Sequence, residues 1–242
     1  MIMNEEWAAR IQSFFRFSKE EIISLGIAIL LASFLFSLRF PGDVFTFQSW
    51  FFYFILTLVV AAISIVARIS SQKIQALKHG YYAEFHLVWA ALIASLLIGI
   101  FSRGYLPLLF LGVITTSFMV RQRLGEFRYG YSFEDNAKLV LDGVVTNLTL
   151  ATIFALGSFM FPGNYFFETG IIFNLVFAVC TIIPIPKLDG MTLLFGSKFL
   201  FFVGIGAIFL YSILLLSSTK IGLVLAISIG IINKIINLLW TA

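Results

Sequence analysis

The sequence predicts an all-α polytopic membrane protein, about six transmembrane helices with a short β-ribbon at the membrane edge. Three observations carry this reading. Hydrophobic residues make up 60% of the 242 and charged residues only 12%, where water-soluble domains average roughly a quarter charged. The apolar residues gather in long runs, and at about 20 residues per helical crossing the chain holds about five to seven of them. Gly80–Leu87 interrupts these runs with a short aromatic stretch that reads as a strand or interfacial ribbon. The length leaves no room for a separate soluble unit, so 1–242 is one membrane domain.

Residues 1–19 mix charge with Trp7, Ile11, Phe14, Phe15 and Phe17, a spacing that suits an amphipathic helix lying in the interface. Ser18, followed three residues later by Glu21, reads as a capping box that opens the first span, about 20–38. Arg39, Pro41, Gly42 and Asp43 turn the chain, and Trp50 to Val66 crosses back. Arg68, Lys73 and Lys78 follow with no acid among them, which places that end, and with it the N-terminus, in the cytoplasm. After the ribbon, an apolar stretch covers about 87–101. Leu106–Val120, broken by Pro107 and Gly112, is short for a helical crossing and predicts an edge hairpin or a re-entrant segment buried in protein. Ser132, Glu134 and Asp135 open the next helix, which runs to Pro162-Gly163-Asn164. Spans at about 167–183, 199–216 and 220–240 complete the chain, the last two forming a C-terminal transmembrane region, 201–242.

The net charge of +4 comes from basic residues in short loops, which suits an anionic lipid surface; no basic stripe points to nucleic acid. Arg121, Arg123 and Arg128 are expected to anchor a loop at the headgroups. Cys180 is the lone cysteine and sits in an apolar span, so it forms no internal disulfide and builds no thiolate cluster. Acids before the first span argue against a cleavable signal peptide, so insertion is expected to use the first true span. No internal repeat marks an inverted-repeat transporter.

One segment stands apart: Pro184-Ile185-Pro186-Lys187-Leu188-Asp189-Gly190 sets a carboxylate and two prolines at the end of an apolar run. A charged Asp near the bilayer centre costs about 2.5–3.5 kcal/mol on insertion scales, so its counter-charge is the first thing to find. This segment resembles the Pro-x-Pro-x-Leu-Asp-Gly element of the site-2 protease family of intramembrane zinc metalloproteases, particularly its compact prokaryotic and archaeal members. Asp142-Gly143-Val144-Val145-Thr146-Asn147 is similar to a second family element, with Asp142 and Val144 in place of its alanine and proline. Gly80–Phe85 resembles the ribbon that follows the metal-binding helix by about two turns. The likeness covers about 20–200. It implies a site-2-protease-like core, Asp189 as third zinc ligand, and a substrate cleft bordered by Asn147, Tyr82, Glu84, Pro184 and Pro186.

Where that register places His-Glu-x-x-His, this chain reads Arg68-Ile69-Ser70-Ser71-Gln72. Two histidines at i and i+4 grip one zinc while the Glu activates its water; Arg68, Ile69 and Gln72 can do none of this. The two histidines present, His79 and His86, stand seven apart with no Glu at the required spacing. Sequence therefore points to a proteolytically inactive relative, with no cofactor expected, that holds transmembrane or extended peptides as a scaffold or regulator in the lipid bilayer. The alternative is a divergent intramembrane zinc metalloprotease that recruits His79, His86 and Asp189. For the carboxylate, Arg68 is the expected partner, Lys187 is its rival, and a simple helix cap at Asp189 is the plainest role. Histidines at a membrane edge are ordinarily interfacial polar groups, and Asn147 can serve merely to bond between helices.

Overall fold

The computed structural model describes residues 10–38, 46–118 and 132–217. The elements, in chain order, are α1 (Lys19–Ser37), α2 (Phe47–Lys78), β1 (Tyr81–Leu87), α3 (Trp89–Phe101), β2 (Gly112–Phe118), α4 (Phe133–Met160), α5 (Tyr165–Ile182), α6 (Asp189–Gly196) and α7 (Lys198–Leu216). Five of these helices, α1, α2, α4, α5 and α7, are long and apolar enough to cross a membrane. At 13 residues α3 is shorter. The expected last span at 220–240, the start of the N-terminal segment and Arg121, Arg123 and Arg128 lie outside the described residues.

Helix starts follow local chemistry. The Ser18 hydroxyl accepts from the Glu21 amide at 3.2 Å while Glu21 Oε2 accepts from the Ser18 amide at 3.3 Å, the reciprocal capping box. Ser132 caps α4, Asn164 caps α5 and Ser197 caps α7. The interfacial helix expected over 1–19 is not continuous: residues 10–14 are helical and 15–18 are not, because the chain must turn into the cap of α1.

The apolar crossing expected over Trp50–Val66 is part of a longer helix: α2 runs 32 residues to Lys78, about 48 Å at the α-helical rise. Arg68 and Lys73 do not end the helix because each is buried against a carboxylate, so neither needs a solvated loop.

The segment around Leu106–Val120 returns as extended chain. Here β2 pairs antiparallel with β1 in the register Tyr81↔Phe118 through Leu87↔Gly112. Side chains of Tyr81, Ala83 and Phe85 alternate inward, as the two-residue period of a strand dictates.

Two large apolar clusters, and a small third of Ala76, Tyr81, Ala83 and Leu139 under the ribbon, fill the interior of the described residues. One joins α1, α2, α3 and α5 through Ala28, Ala32, Leu35, Val60, Ala61, Ile65, Leu92 and Phe173. The other joins α4, α5, α6 and α7 through Ala137, Val144, Ala151, Ala178, Leu193, Phe201 and Ile208. Small residues let helices approach where lipid supplies no hydrophobic drive. Gly143 is such a point: a Cβ there would lie 2.6 Å from Gln72 Nε2 and 3.2 Å from Arg68 Nε. The approach of α4 to α2 thus delivers the candidate site.

Candidate functional site

Ser64, Arg68 and Gln72 recur every four residues on α2 and share one buried face. Arg68 is 4% exposed and Asp189 6%. The Arg68 Nη2 donates to Asp189 Oδ2 at 2.9 Å, Nη1 donates to the Thr181 hydroxyl, and the guanidinium lies 4.4 Å from the centre of the Phe177 ring. Thr181 in turn donates to the Phe177 carbonyl at 2.7 Å. The second carboxylate oxygen of Asp189 accepts the Ile114 amide of β2 at 3.2 Å.

Local sequence explains why Asp189 arrives there. Pro184 cannot continue α5, and Ile183 before it is extended. Lys187 takes a left-handed φ of +67°, and the Leu188 amide turns back to the Ile185 carbonyl at 3.1 Å. Gly190 then lies against the carbonyls of Ile182 and Ile183, leaving no space for a side chain. The tight turn aims Asp189 inward as the first residue of α6.

Asp189 pairs with Arg68, while Lys187 forms no ion pair with it. Asp189 is not the cap of α6 either; Leu188 holds that position. Gln72 donates to the Leu139 carbonyl at 3.3 Å, and Ile69 is buried in the apolar core.

The remaining candidates scatter. His79 caps the C-terminus of α2 beside Gln75, 3.5 Å away, and burial holds its pKa below the usual imidazole value. His86 is on the exposed face of β1, 3.8 Å from Glu84. Tyr82 and Glu84 border a small recess with Phe14 and Arg16. Asn147 is fully buried on α4, and neither of its side-chain polar atoms has a partner among the described residues. A space of about 20 Å³ beside Arg68 and Asp189 is lined by Leu109–Gly112, Phe177, Cys180, Thr181 and Leu188; Asn147, Tyr82, Glu84, Pro184 and Pro186 do not border it.

Zinc does not fit this donor set. Its ligands are thiolate, imidazole and carboxylate, whereas both Asp189 oxygens already accept, one from the Arg68 guanidinium and one from the Ile114 amide N–H. Among the described residues no three His, Cys, Asp or Glu side chains come together as a metal-holding group.

Two features of the site were missed by sequence reading. Thr181 and Phe177 look like ordinary span residues, and only their spacing of four hints at a shared face. Glu21 was recognised as a capping residue, but it also pairs with Lys73 at 2.5 Å and accepts the Phe85 amide at 3.1 Å.

Fold and site together define a helical membrane protein with an internal ribbon and a buried ion pair at the junction of α2, α5 and α6. Among known proteins, the chain is 27% identical over 192 residues to "Putative zinc metalloprotease MJ0611" of Methanocaldococcus jannaschii, covering 78% of this chain and 90% of that protein. No family model matches the chain. No solved structure matches it.

Proposed function

We propose that this chain is a site-2-protease-like membrane protein that has lost zinc-dependent proteolysis and holds transmembrane or extended peptides as a scaffold or regulator. One observation carries the reading: Arg68, in the register of the first metal-binding histidine, is bonded to Asp189, in the register of the third ligand, at 2.9 Å. The permanent cation supplies the positive charge that a carboxylate in this position needs, and it cannot activate water, because arginine does not lose its proton in proteins. The likeness to a protein named for metalloprotease activity supports the ancestry of the fold.

The orientation follows from charge. Among the described residues, Arg10, Arg16, Lys19, Lys78, Lys138, Lys187 and Lys198 lie at the end of the bundle where α1, α4 and α7 begin, and Arg103 lies at the other. The positive-inside rule places the first end, with the N-terminus, in the cytoplasm. The protein is then an integral protein of the cell membrane.

Metal analysis of purified protein tests the proposal. Zinc well below one equivalent, unchanged in Asp189→Ala, is the expected result. Stoichiometric zinc that disappears in Asp189→Ala would replace this reading with that of a divergent intramembrane zinc metalloprotease.

A further inference from the structure

Phe85 and Ile114 sit directly opposite each other in the ribbon, and the amides of both point outward. Each is taken by a buried carboxylate: Phe85 by Glu21 at 3.1 Å, Ile114 by Asp189 at 3.2 Å. Each carboxylate is matched by a buried cation of the same helix, Lys73 for Glu21 and Arg68 for Asp189. A single rung of the ribbon is therefore pinned from both sides by charged side chains, which make stronger bonds than neutral acceptors do.

The two clamps differ in what holds them. Asp189 is fixed by the turn before α6 and by the close approach of Gly190 to the end of α5. Glu21 belongs to the first turn of α1, immediately after the non-helical residues 15–18. Its cation is secured by that same stretch: Lys73 Nζ donates to the Arg16 carbonyl at 2.7 Å and lies 4.4 Å from the centre of the Phe17 ring. Phe14 packs edge-on against Tyr82 at 5.6 Å, closing a recess that reaches Ala83 on the same outward edge as Phe85. Residues 14–21 thus cover this edge as one strap.

We propose that Glu21 is a latch on the outward edge of β1. Its carboxylate stands where the main-chain carbonyl of an added strand would sit, and withdrawing the strap opens that edge to an extended polypeptide. Main-chain hydrogen bonding along an exposed edge recognises backbone rather than sequence, so the incoming chain is defined by its extended form. The identity of the ligand as a peptide rests on the function proposed above; the latch itself rests on the geometry of Glu21, Lys73 and Phe85.

The test uses the full chain in nanodiscs and the double variant Glu21→Leu/Lys73→Met. Both charges leave together, a replacement that buried pairs tolerate, so the fold is retained while Phe85 loses its acceptor. Residue-resolved amide hydrogen exchange should quicken at Phe85 by about tenfold, as the loss of one charge-assisted bond implies, with Ile114 unchanged. A synthetic alternating Val-Thr peptide carrying a benzophenone should label residues 81–87 more strongly in the variant than in the parent chain. Exchange at Phe85 that stays at the parent rate overturns the latch. So does equal labelling of β1 in both proteins, or labelling in neither. Glu21→Gln, which keeps a carbonyl acceptor, should fall between the two, and equal exchange in Gln and Leu variants would also count against the carboxylate. Zinc content, which decides the earlier proposal, is untouched by any of these outcomes.

Discussion

Removing either partner of the Arg68–Asp189 pair should destabilise the protein strongly, and removing both should cost far less than the sum. Arg68→Ala strands a 6%-exposed carboxylate, and losing one partner of a buried pair typically costs about 3–5 kcal/mol. The bond to Thr181 and the contact with the Phe177 ring go with it, each worth on the order of 1 kcal/mol. Asp189→Ala strands the guanidinium and takes the acceptor from the Ile114 amide, an orphaning that costs about 1–3 kcal/mol by itself. Independent effects would then sum to roughly 9–15 kcal/mol, more than many domains possess. In the double variant no charge is left unpaired, so the loss should be roughly 3–4 kcal/mol smaller than that sum. Milder isosteres, Arg68→Met and Asp189→Asn, keep the measurement within range. Reversible unfolding in bicelles followed by steric trapping gives the four free energies of the cycle. Additivity within about 0.5 kcal/mol would refute the pairing as an energetic unit.

Further outcomes follow from neighbouring geometry. Gly190→Ala should cost at least about 2 kcal/mol, read by the same unfolding assay, because its Cβ would meet the rigid carbonyls of Ile182 and Ile183. Asn147→Leu should be neutral or stabilising by about 1 kcal/mol, since both of its buried polar atoms lack partners among the described residues; a large loss would show that Asn147 has a partner in the membrane. For His79, burial lowers the folded-state pKa, so folding favours the neutral ring. Its contribution is complete above the unfolded value near 6.5 and declines as the pH falls towards the folded value. His79→Gln should therefore flatten the loss of stability measured between about pH 7 and pH 5.

Much of the architecture could be read from residue order because it is local chemistry. The capping box at Ser18 and Glu21, the caps at Ser132 and the break at Pro184 depend on near neighbours, and each lies where expected. The ribbon was visible as an aromatic stretch after Gly80, and its partner strand as a β-branched run too short to cross a bilayer. That Asp189 needs a cation was legible through charge balance, but the choice of Arg68 over Lys187 came only from the register the family resemblance implies. The length of α2 was not accessible by that route, because a lysine or arginine ends an apolar run only when its charge must reach water. Whether Lys73 is loop or helix is settled by Glu21, 52 residues earlier in the chain, and such long-range pairings leave no periodic trace. Thr181 and Phe177 were hidden for the same reason: their role comes from what they face, not from what they follow.

The guanidinium at position 68 also makes any route to metal chemistry steep. Exchanging it for imidazole would leave Asp189 short of its counter-ion before any second imidazole could arrive at Gln72, and a general base would still be wanted at Ile69. Each intermediate on that path carries an unpaired buried charge, so building a metal site here would have to change several positions simultaneously. A side chain that neutralises one carboxylate thus restricts which single substitutions the whole bundle can accept.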